Sequence, residues 1–373
     1  YDQKVNMNRS ADGKLYKIAN FGREKTQNVR AWLYRKDIFD KHGLSVPETF
    51  DELYEVCKQL KEIYPDSYPF SARNGIYMLD AQAPSWKPYW NTQEYYDYNS
   101  EKWCYGASED VLLDMLTFYK RMIDEKLMPS DVTTMNQSTL DEFVLTDKAF
   151  IMPHLQLRID NYNSIANKTR PEFKLQAFVP PVANLEKGVP MVERGDIEMI
   201  GFSIPDTGKP EQIANAAKFL DWLYTDEAME LVSWGKEGET YEVVNGKKQF
   251  ITDEAGTMAN TLYGFQLYGS FTVLDRDAVL ASQSERIAET RDLVTDHLLP
   301  YVNPTMYMSF TYEEDTRLAE LRTQCKNYSE EMLIKFIIGQ EPISGFDAFV
   351  ENLNSMGVDE LLGLYETAYN RIK

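Results

Sequence analysis

Eight of the 21 residues between Ser85 and Tyr105 are aromatic, and three of the chain's six tryptophans lie among them: Trp86, Tyr89, Trp90, Tyr95, Tyr96, Tyr98, Trp103 and Tyr105. They alternate with Lys87, Pro88, Asn91, Gln93, Asp97 and Asn99, which fits neither a helix stripe nor a continuous buried strand. Flat rings in polar, proline-broken backbone suit the apolar faces of sugar rings, while amides and carboxylates meet the hydroxyls. Aromatic side chains also give a large contact area with little rotamer freedom to lose. From Tyr95 to Tyr105 the same residues read as a hairpin, with Asn99-Ser100 as the turn and Trp103 across from Tyr96 or Tyr98. Trp86, Tyr89 and Trp90 precede any strand signal, and both ligand contact and packing stay open for them.

Catalytic chemistry is harder to find. A glycosidase needs an acid and a second carboxylate about 5–9 Å apart. Asp196 and Glu198 fall two apart on one strand face, and Glu313-Glu314-Asp315 reads as a helix-start cluster favoured by the helix dipole. Neither pair differs in environment as acid and base should. There is no nucleophilic Ser-His-Asp signature and no P-loop, and only three histidines occur. A non-catalytic binder is therefore expected, without cofactor or metal, and a glycan-acting hydrolase is the alternative.

The elements that must position these residues follow from length and pattern. A chain of 373 residues should bury about three quarters of its unfolded surface and form two domains. Apolar content of 43% and aromatic content of 13% are those of a folded protein. The formal charge of −20, from 39 basic and 59 acidic residues, argues against nucleic acid, since no basic surplus displaces counterions from phosphates. It argues mildly against a polyanionic ligand too, although one local basic pocket overrides a global field. Cys57, Cys104 and Cys325 are too far apart for a disulfide framework, and Cys57 and Cys325 read as small core hydrophobes. No run of about 18 apolar residues offers a membrane span. A missing leader carries no weight, because the chain opens at Tyr1.

Strands are predicted at Leu15–Ala19, after an Asp12-Gly13 turn, and at Arg30–Tyr34. A short helix follows, closed by Gly43. Thr49 to Glu52 is a capping box that opens a helix with Leu53, Val56, Cys57, Leu60 and Ile63 on one face. Ser108 should start a second amphipathic helix. Further strands are expected at Ala149–Met152, Leu175–Val179 and Ile197–Ile204, and helices after Pro210 and Thr225, with Trp222 in the core. Asn245-Gly246 marks a hairpin. The last third is helical: Glu314–Ile338, Phe346–Met356 and Val358–Ile372, with Tyr365 and Tyr369 spaced for packing. Alternating strands and helices imply an α/β fold with a helical tail.

Three segments together resemble the extracellular solute-binding protein family 1, the sugar-binding lipoproteins of ABC importers. They are Asp12 to Tyr16 with Trp32 to Asp37 and Val46 to Leu53; Phe219 to Glu227 with Trp234 to Tyr241; and Lys335 to Gly339 with Tyr365 to Arg371. The similarity is strongest to the branch that includes alginate- and other oligosaccharide-binding proteins. It implies a two-lobe, periplasmic-binding-protein-like (type II) α/β fold with a hinge, a sugar captured in the inter-lobe cleft and closure by bending. It implies a first lobe from residues 1–28 and 197–299, a second from 29–196, and a helical segment, 300–373, packed on the second. Phe21 to Val29 and Glu193 to Glu198 would be crossing strands. Relatives carry a stretch with a signal peptide and a lipid-bearing cysteine before the Asp-Gly segment, so the lipid anchor would lie outside this chain. Partners would be an oligosaccharide and the permease subunits, with the protein monomeric at the outer face of the cell membrane or in the periplasm. Some relatives have an acidic calcium loop after the capping-box helix. Here Tyr64 to Pro69 keeps only Asp66, too few oxygens for calcium, so that site is not carried over.

The resemblance also points to site residues. It places ligand-facing groups just after a strand at His154, Gln156 and Arg158, since loops at strand ends line the cleft; for Arg158 a surface ion pair stays equally open. At the inferred crossing strand Asp196 would accept sugar hydroxyls, or else pair with Arg194 or Arg158. Glu239 and Tyr241, after the Trp234-Gly235 helix end, would face the cleft, unless Tyr241 is only the first residue of the hairpin. Tyr307, in an aromatic loop, is a second stacking candidate. A peptide receptor remains a further alternative, because stacking rings hold peptides too.

Overall fold

The computed structural model describes residues 9–19, 30–73, 75, 77–131, 134–183, 201–252, 258, 262–263, 273–297, 304–306 and 308–371. The chain divides into two compact units, Tyr1–Asn28 with Gly195–Ala288 and Val29–Arg194 with Glu289–Lys373.

The first strand, β1 (Ile18–Ala19), is shorter than expected, because Leu15 instead bridges Arg9 across the Asp12-Gly13 turn. Next comes β2 (Arg30–Arg35), buried from Ala31 onward. It runs directly into α1 (Lys36–His42), which ends on Gly43 in the left-handed conformation (φ 66), a backbone state open to glycine without strain. α2 (Phe50–Ile63) buries Leu53, Val56, Cys57 and Leu60. Thr49 caps it by accepting from the Glu52 amide at 3.1 Å. The reciprocal half of the expected box is shifted by one residue: the Glu52 carboxylate accepts from the Glu48 amide at 2.7 Å.

After α3 (Tyr77–Gln82) comes the hairpin of β3 (Glu94–Asp97) and β4 (Lys102–Tyr105), with Tyr96 opposite Trp103. The helix expected from Ser108 starts later: Gly106–Ser108 is a single 3₁₀ turn, and α4 (Asp110–Asp124) begins after Glu109. Then follow α5 (Gln137–Leu145), β5 (Ile151–Leu155), α6 (Arg158–Ala166) and β6 (Leu175–Phe178). β5 begins two residues beyond the predicted Ala149 start. Three strands form one antiparallel sheet in the order β5-β2-β6.

In the other unit β7 (Gly201–Phe202) pairs with β1; the rest of the strand expected over 197–204 falls partly outside the described residues. α7 (Pro210–Trp222) carries its proline in the first turn, and α8 (Asp226–Ser233) is capped by Thr225. β8 (Tyr241–Val244) and β9 (Lys247–Phe250) join through Asn245 (φ 52) and Gly246 (φ 78), the signature of the predicted turn. Trp222, expected in the core, is half-buried and stacks on exposed Phe219 at 5.9 Å, while Leu220 and Leu223 go inside. The core here is Trp234, Tyr241, Phe250, Leu274, Ala278 and Val279, with α9 (Arg276–Ala281) closing it.

After α10 (Glu285–Thr295) the tail is helical: α11 (Tyr312–Ile338), α12 (Phe346–Ser355) and α13 (Val358–Asn370). These helices share one core with the β5-β2-β6 sheet and the β3–β4 hairpin. Tyr365 is fully buried 4.8 Å from the Trp103 ring, and Tyr369 meets Tyr96 at 4.7 Å.

Candidate functional site

The carboxyl end of β5 collects chemistry from three distant stretches of chain. On one side β2 places Arg30 opposite Leu155 and Ala31 opposite His154. On the other side Phe70 bridges Ile151 in parallel, and the Ser71 amide donates to the Ile151 carbonyl at 3.1 Å. That register carries Arg73 along the strand toward His154. Immediately beyond β5 the chain turns into α6, whose first residue is Arg158.

His154 is 2% exposed. Its Nδ1 accepts from the Leu155 amide at 2.7 Å, which assigns the ring proton of the neutral imidazole to Nε2. That Nε2 is buried and has no hydrogen-bond partner among the described residues. Burial, then the positive charges of Arg73 and Arg158, push the imidazole down to about 3, and Asp141 opposes them only in part. The ring is therefore a neutral N–H donor at physiological pH. Arg73 feels the same field: burial, then Arg158 and Arg30, lower its affinity for the proton, and they outweigh Tyr162 and Asp141.

A polar base supports this cluster. Tyr162, on α6, sets its ring 6.3 Å from His154, and its hydroxyl donates to Asp141 at 2.6 Å. Burial, then Asp141, hold that phenol protonated far above its ordinary range. Gln137 donates to the same carboxylate, and its buried Oε1 is left with no partner among the described residues. Gln156 is buried between His154 and Arg158 in sequence. The structure thus brings His154, Gln156 and Arg158 together and adds Arg30, Arg73, Gln137, Asp141 and Tyr162. Those five carry no local sequence signal, because sheet pairing and helix packing bring them in.

The aromatic segment behaves differently. Trp90 is 1% exposed, and its indole donates to the Gly106 carbonyl at 3.2 Å. A Cβ at Gly106 would lie 1.7 Å from the Asn91 carbonyl oxygen, so only glycine lets the hairpin base close over Trp90. The expectation of a free ring face at Trp90 is not met, since core packing encloses the ring on every side. Tyr95 is buried too, its hydroxyl held by Glu109 and Lys87. Trp86 is half-buried against Phe50 (4.4 Å) and Phe118 (5.9 Å), and its buried indole N–H finds no acceptor among the described residues. Tyr89 is half-buried beside Tyr98 at 4.9 Å, in a left-handed backbone (φ 66).

Glu239 and Tyr241 belong to the unit of Gly195–Ala288. Glu239 is exposed and paired with Lys236. Tyr241 is 3% exposed, and its hydroxyl donates to Glu230, which pushes the phenol up to about 12. Lys248 lies 5.0 Å over its ring. Tyr241 is therefore a core residue that opens the hairpin, not the free cleft-facing phenol expected. Asp196, Glu198 and Tyr307 lie outside the described residues, as do the inferred crossing strands. Among the described residues no group of three or more His, Cys, Asp or Glu is placed to hold a metal ion, and no helix is long and apolar enough to cross a membrane.

The sequence profile of bacterial extracellular solute-binding proteins matches residues 10–230, more than half of the chain. The chain belongs to this family. Among curated proteins it is similar to lipoprotein LipO of Bacillus subtilis (strain 168), 24% identical over 97% of this chain and 72% of that protein. It is also similar to the polygalacturonan/rhamnogalacturonan-binding protein YtcQ of the same strain, 22% identical over 99% and 73%. Among solved structures, the alginate-binding protein AlgQ2 without calcium ion superposes with a TM-score of 0.77 at 19% identity, covering 99% of this chain and 77% of that one. An HMO-binding solute-binding protein from Bifidobacterium longum infantis ATCC 15697 gives 0.74 at 18%, covering 99% and 79%. The fold of this extracellular solute-binding protein is accordingly the two-lobe, type II α/β fold with a helical C-terminal region.

Proposed function

We propose that this solute-binding protein is the receptor of an ABC importer, which captures an oligosaccharide outside the cell and delivers it to membrane permease subunits. The observation that carries the reading is the donor-rich cluster at the carboxyl end of β5. A buried, neutral Nε2–H, guanidinium forks and the Gln137 oxygen, which has no partner among the described residues, together match what sugar hydroxyls and ring substituents require: donors and acceptors held at fixed angles. The names of similar proteins agree, since they bind polygalacturonan or rhamnogalacturonan, alginate and HMO. Trp86 and Tyr89, the two rings of the segment that keep some exposure, supply stacking surface. Asp196, Glu239 and Tyr307 are assigned as further contacts on sequence grounds. The family is one of binding proteins, and we assign this chain no catalytic residue. We place it at the outer face of the membrane, held by a lipid anchor, as the name of LipO suggests.

A thermal-shift screen of oligosaccharides against peptides tests this. Ligand at a hundred times its Kd stabilises the folded state by about 2.7 kcal/mol. Sugars should raise the unfolding midpoint without being cleaved. A shift with peptides alone, or release of shorter glycans, would end the proposal.

A further inference from the structure

Resting on the receptor reading above, we propose that Gln137 and His154 form a complementary acceptor–donor pair. The pair reads unmodified hydroxyls on one ring of the captured sugar, and excludes O-acylated or O-methylated rings from that position. Both side chains border the same phenol. The Tyr162 hydroxyl lies 3.3 Å from the Gln137 amide nitrogen, and the Tyr162 ring centroid lies 6.3 Å from that of His154.

Neighbours fix the polarity of each member. Asp141, further along α5, offers a carboxylate that can only accept; it takes the Tyr162 hydroxyl at 2.6 Å and the Gln137 amide nitrogen. The Gln137 amide must therefore turn its NH₂ toward Asp141 and its oxygen away, since the opposite orientation would set two acceptors face to face. That oxygen is buried and has no partner among the described residues. In His154 the Leu155 amide plays the same part. It donates to Nδ1 at 2.7 Å and so leaves the ring proton on Nε2, again buried without a partner, in a side chain 2% exposed. Two buried atoms of opposite character are thus aimed and unanswered beside one tyrosine, and leaving such atoms unpaired is unfavourable.

A hydroxyl is the sugar substituent that both gives a hydrogen bond and takes one. A carboxylate, an ether oxygen or an ester carbonyl answers the His154 N–H but leaves Gln137 facing a second acceptor. Selectivity therefore rests on Gln137, because a group that strands a buried polar atom is rejected more strongly than one that merely fits poorly.

Calorimetry on the full chain with cellotriose, galactotriose, trigalacturonate and lacto-N-tetraose identifies the tightest probe of the four. Gln137→Met keeps the side-chain length, and His154→Asn keeps an acceptor for the Leu155 amide. Each should weaken binding of that probe roughly tenfold, and wild type should bind the O-methylated form of the same probe weaker by roughly tenfold or more. If Gln137→Met binds as tightly as wild type or tighter, only an acceptor sits there, and the proposal falls while the receptor stands. If His154→Asn binds as wild type does, its Nε2 serves an internal water and the pair falls likewise. Equal binding of the O-methylated probe overturns the proposal without any variant, should one fail to fold. If no probe binds, this proposal and the receptor reading fall together.

Discussion

Strand β2 carries an arginine at each end, and the two ends are built to opposite plans. At its carboxyl end Arg35 is 2% exposed. It is held by Asp37 at 2.7 Å and by Asp147 at 2.5 Å, donates to the Val144 carbonyl at 3.2 Å, and lies 4.1 Å over the Phe173 ring. Every direction its fork points in is answered from within the protein. At the amino end Arg30 joins Arg73 and Arg158 around His154, whose buried Nε2 has no hydrogen-bond partner among the described residues. The same side chain is thus a fastener at one end and a candidate receptor group at the other. What separates them is burial and company: Arg35 is enclosed by two carboxylates and a carbonyl, while Arg30 is only partly buried beside other arginines and a buried imidazole.

The largest test of this contrast is Arg35→Ala. It leaves Asp37 partly buried without its cation and Asp147 with Arg170 alone, and should cost about 3–5 kcal/mol of stability in urea unfolding, with glycan affinity of the folded fraction unchanged. Loss of sugar binding at full stability would erase the distinction. Of similar size is Trp90→Ala, expected to cost about 3–5 kcal/mol as a core deletion. Trp86→Ala with Tyr89→Ala should instead weaken glycan binding roughly thirtyfold, at about 1 kcal/mol per stacked ring. Swapped phenotypes in calorimetry and unfolding would reverse the assignment of these rings.

An effect that appears only on acidification comes from His154. The unfolded imidazole takes up its proton near pH 6.5, and the folded one only near pH 3. Between those values the unfolded state binds more protons, so stability should fall as pH drops, by up to about 1.4 kcal/mol per pH unit. Unfolding of wild type and His154→Gln between pH 7 and 4 checks the sign, and the variant should show the shallower slope. Smallest of all, Arg158→Gln should leave the unfolding midpoint unchanged or slightly raised, since it removes a charge that opposes Arg73. A clear drop would class Arg158 with Arg35.

The contrast also explains what was legible in the sequence. Features decided within a few residues could be read directly: the Thr49 cap, Gly43 at a helix end and the Asn245-Gly246 hairpin. His154, Gln156 and Arg158 could be picked from one short run, although β5 extends through His154 to Leu155, beyond the predicted strand end, and Arg158 already opens α6. Arg73 could not be, because nothing near it hints at the Phe70–Ile151 bridge that delivers it. The fate of Trp90 was hidden for the same reason. Its burial depends on a carbonyl 16 residues away and on a glycine that leaves space there. Aromatic density was a poor guide to exposure, whereas a buried polar atom without a partner is visible only once the chain is folded.

The joint between hairpin and tail bears on how the molecule is made. Glu94 of β3 accepts from Arg322 on α11 and from Tyr365 on α13, 228 and 271 residues further along. A nascent chain therefore finishes this unit only after α13 has left the ribosome. Until then Tyr96 and Trp103 stay open to water and to chaperones. Such a delay suits a member of an extracellular family, with α13 acting as the latch on the hairpin.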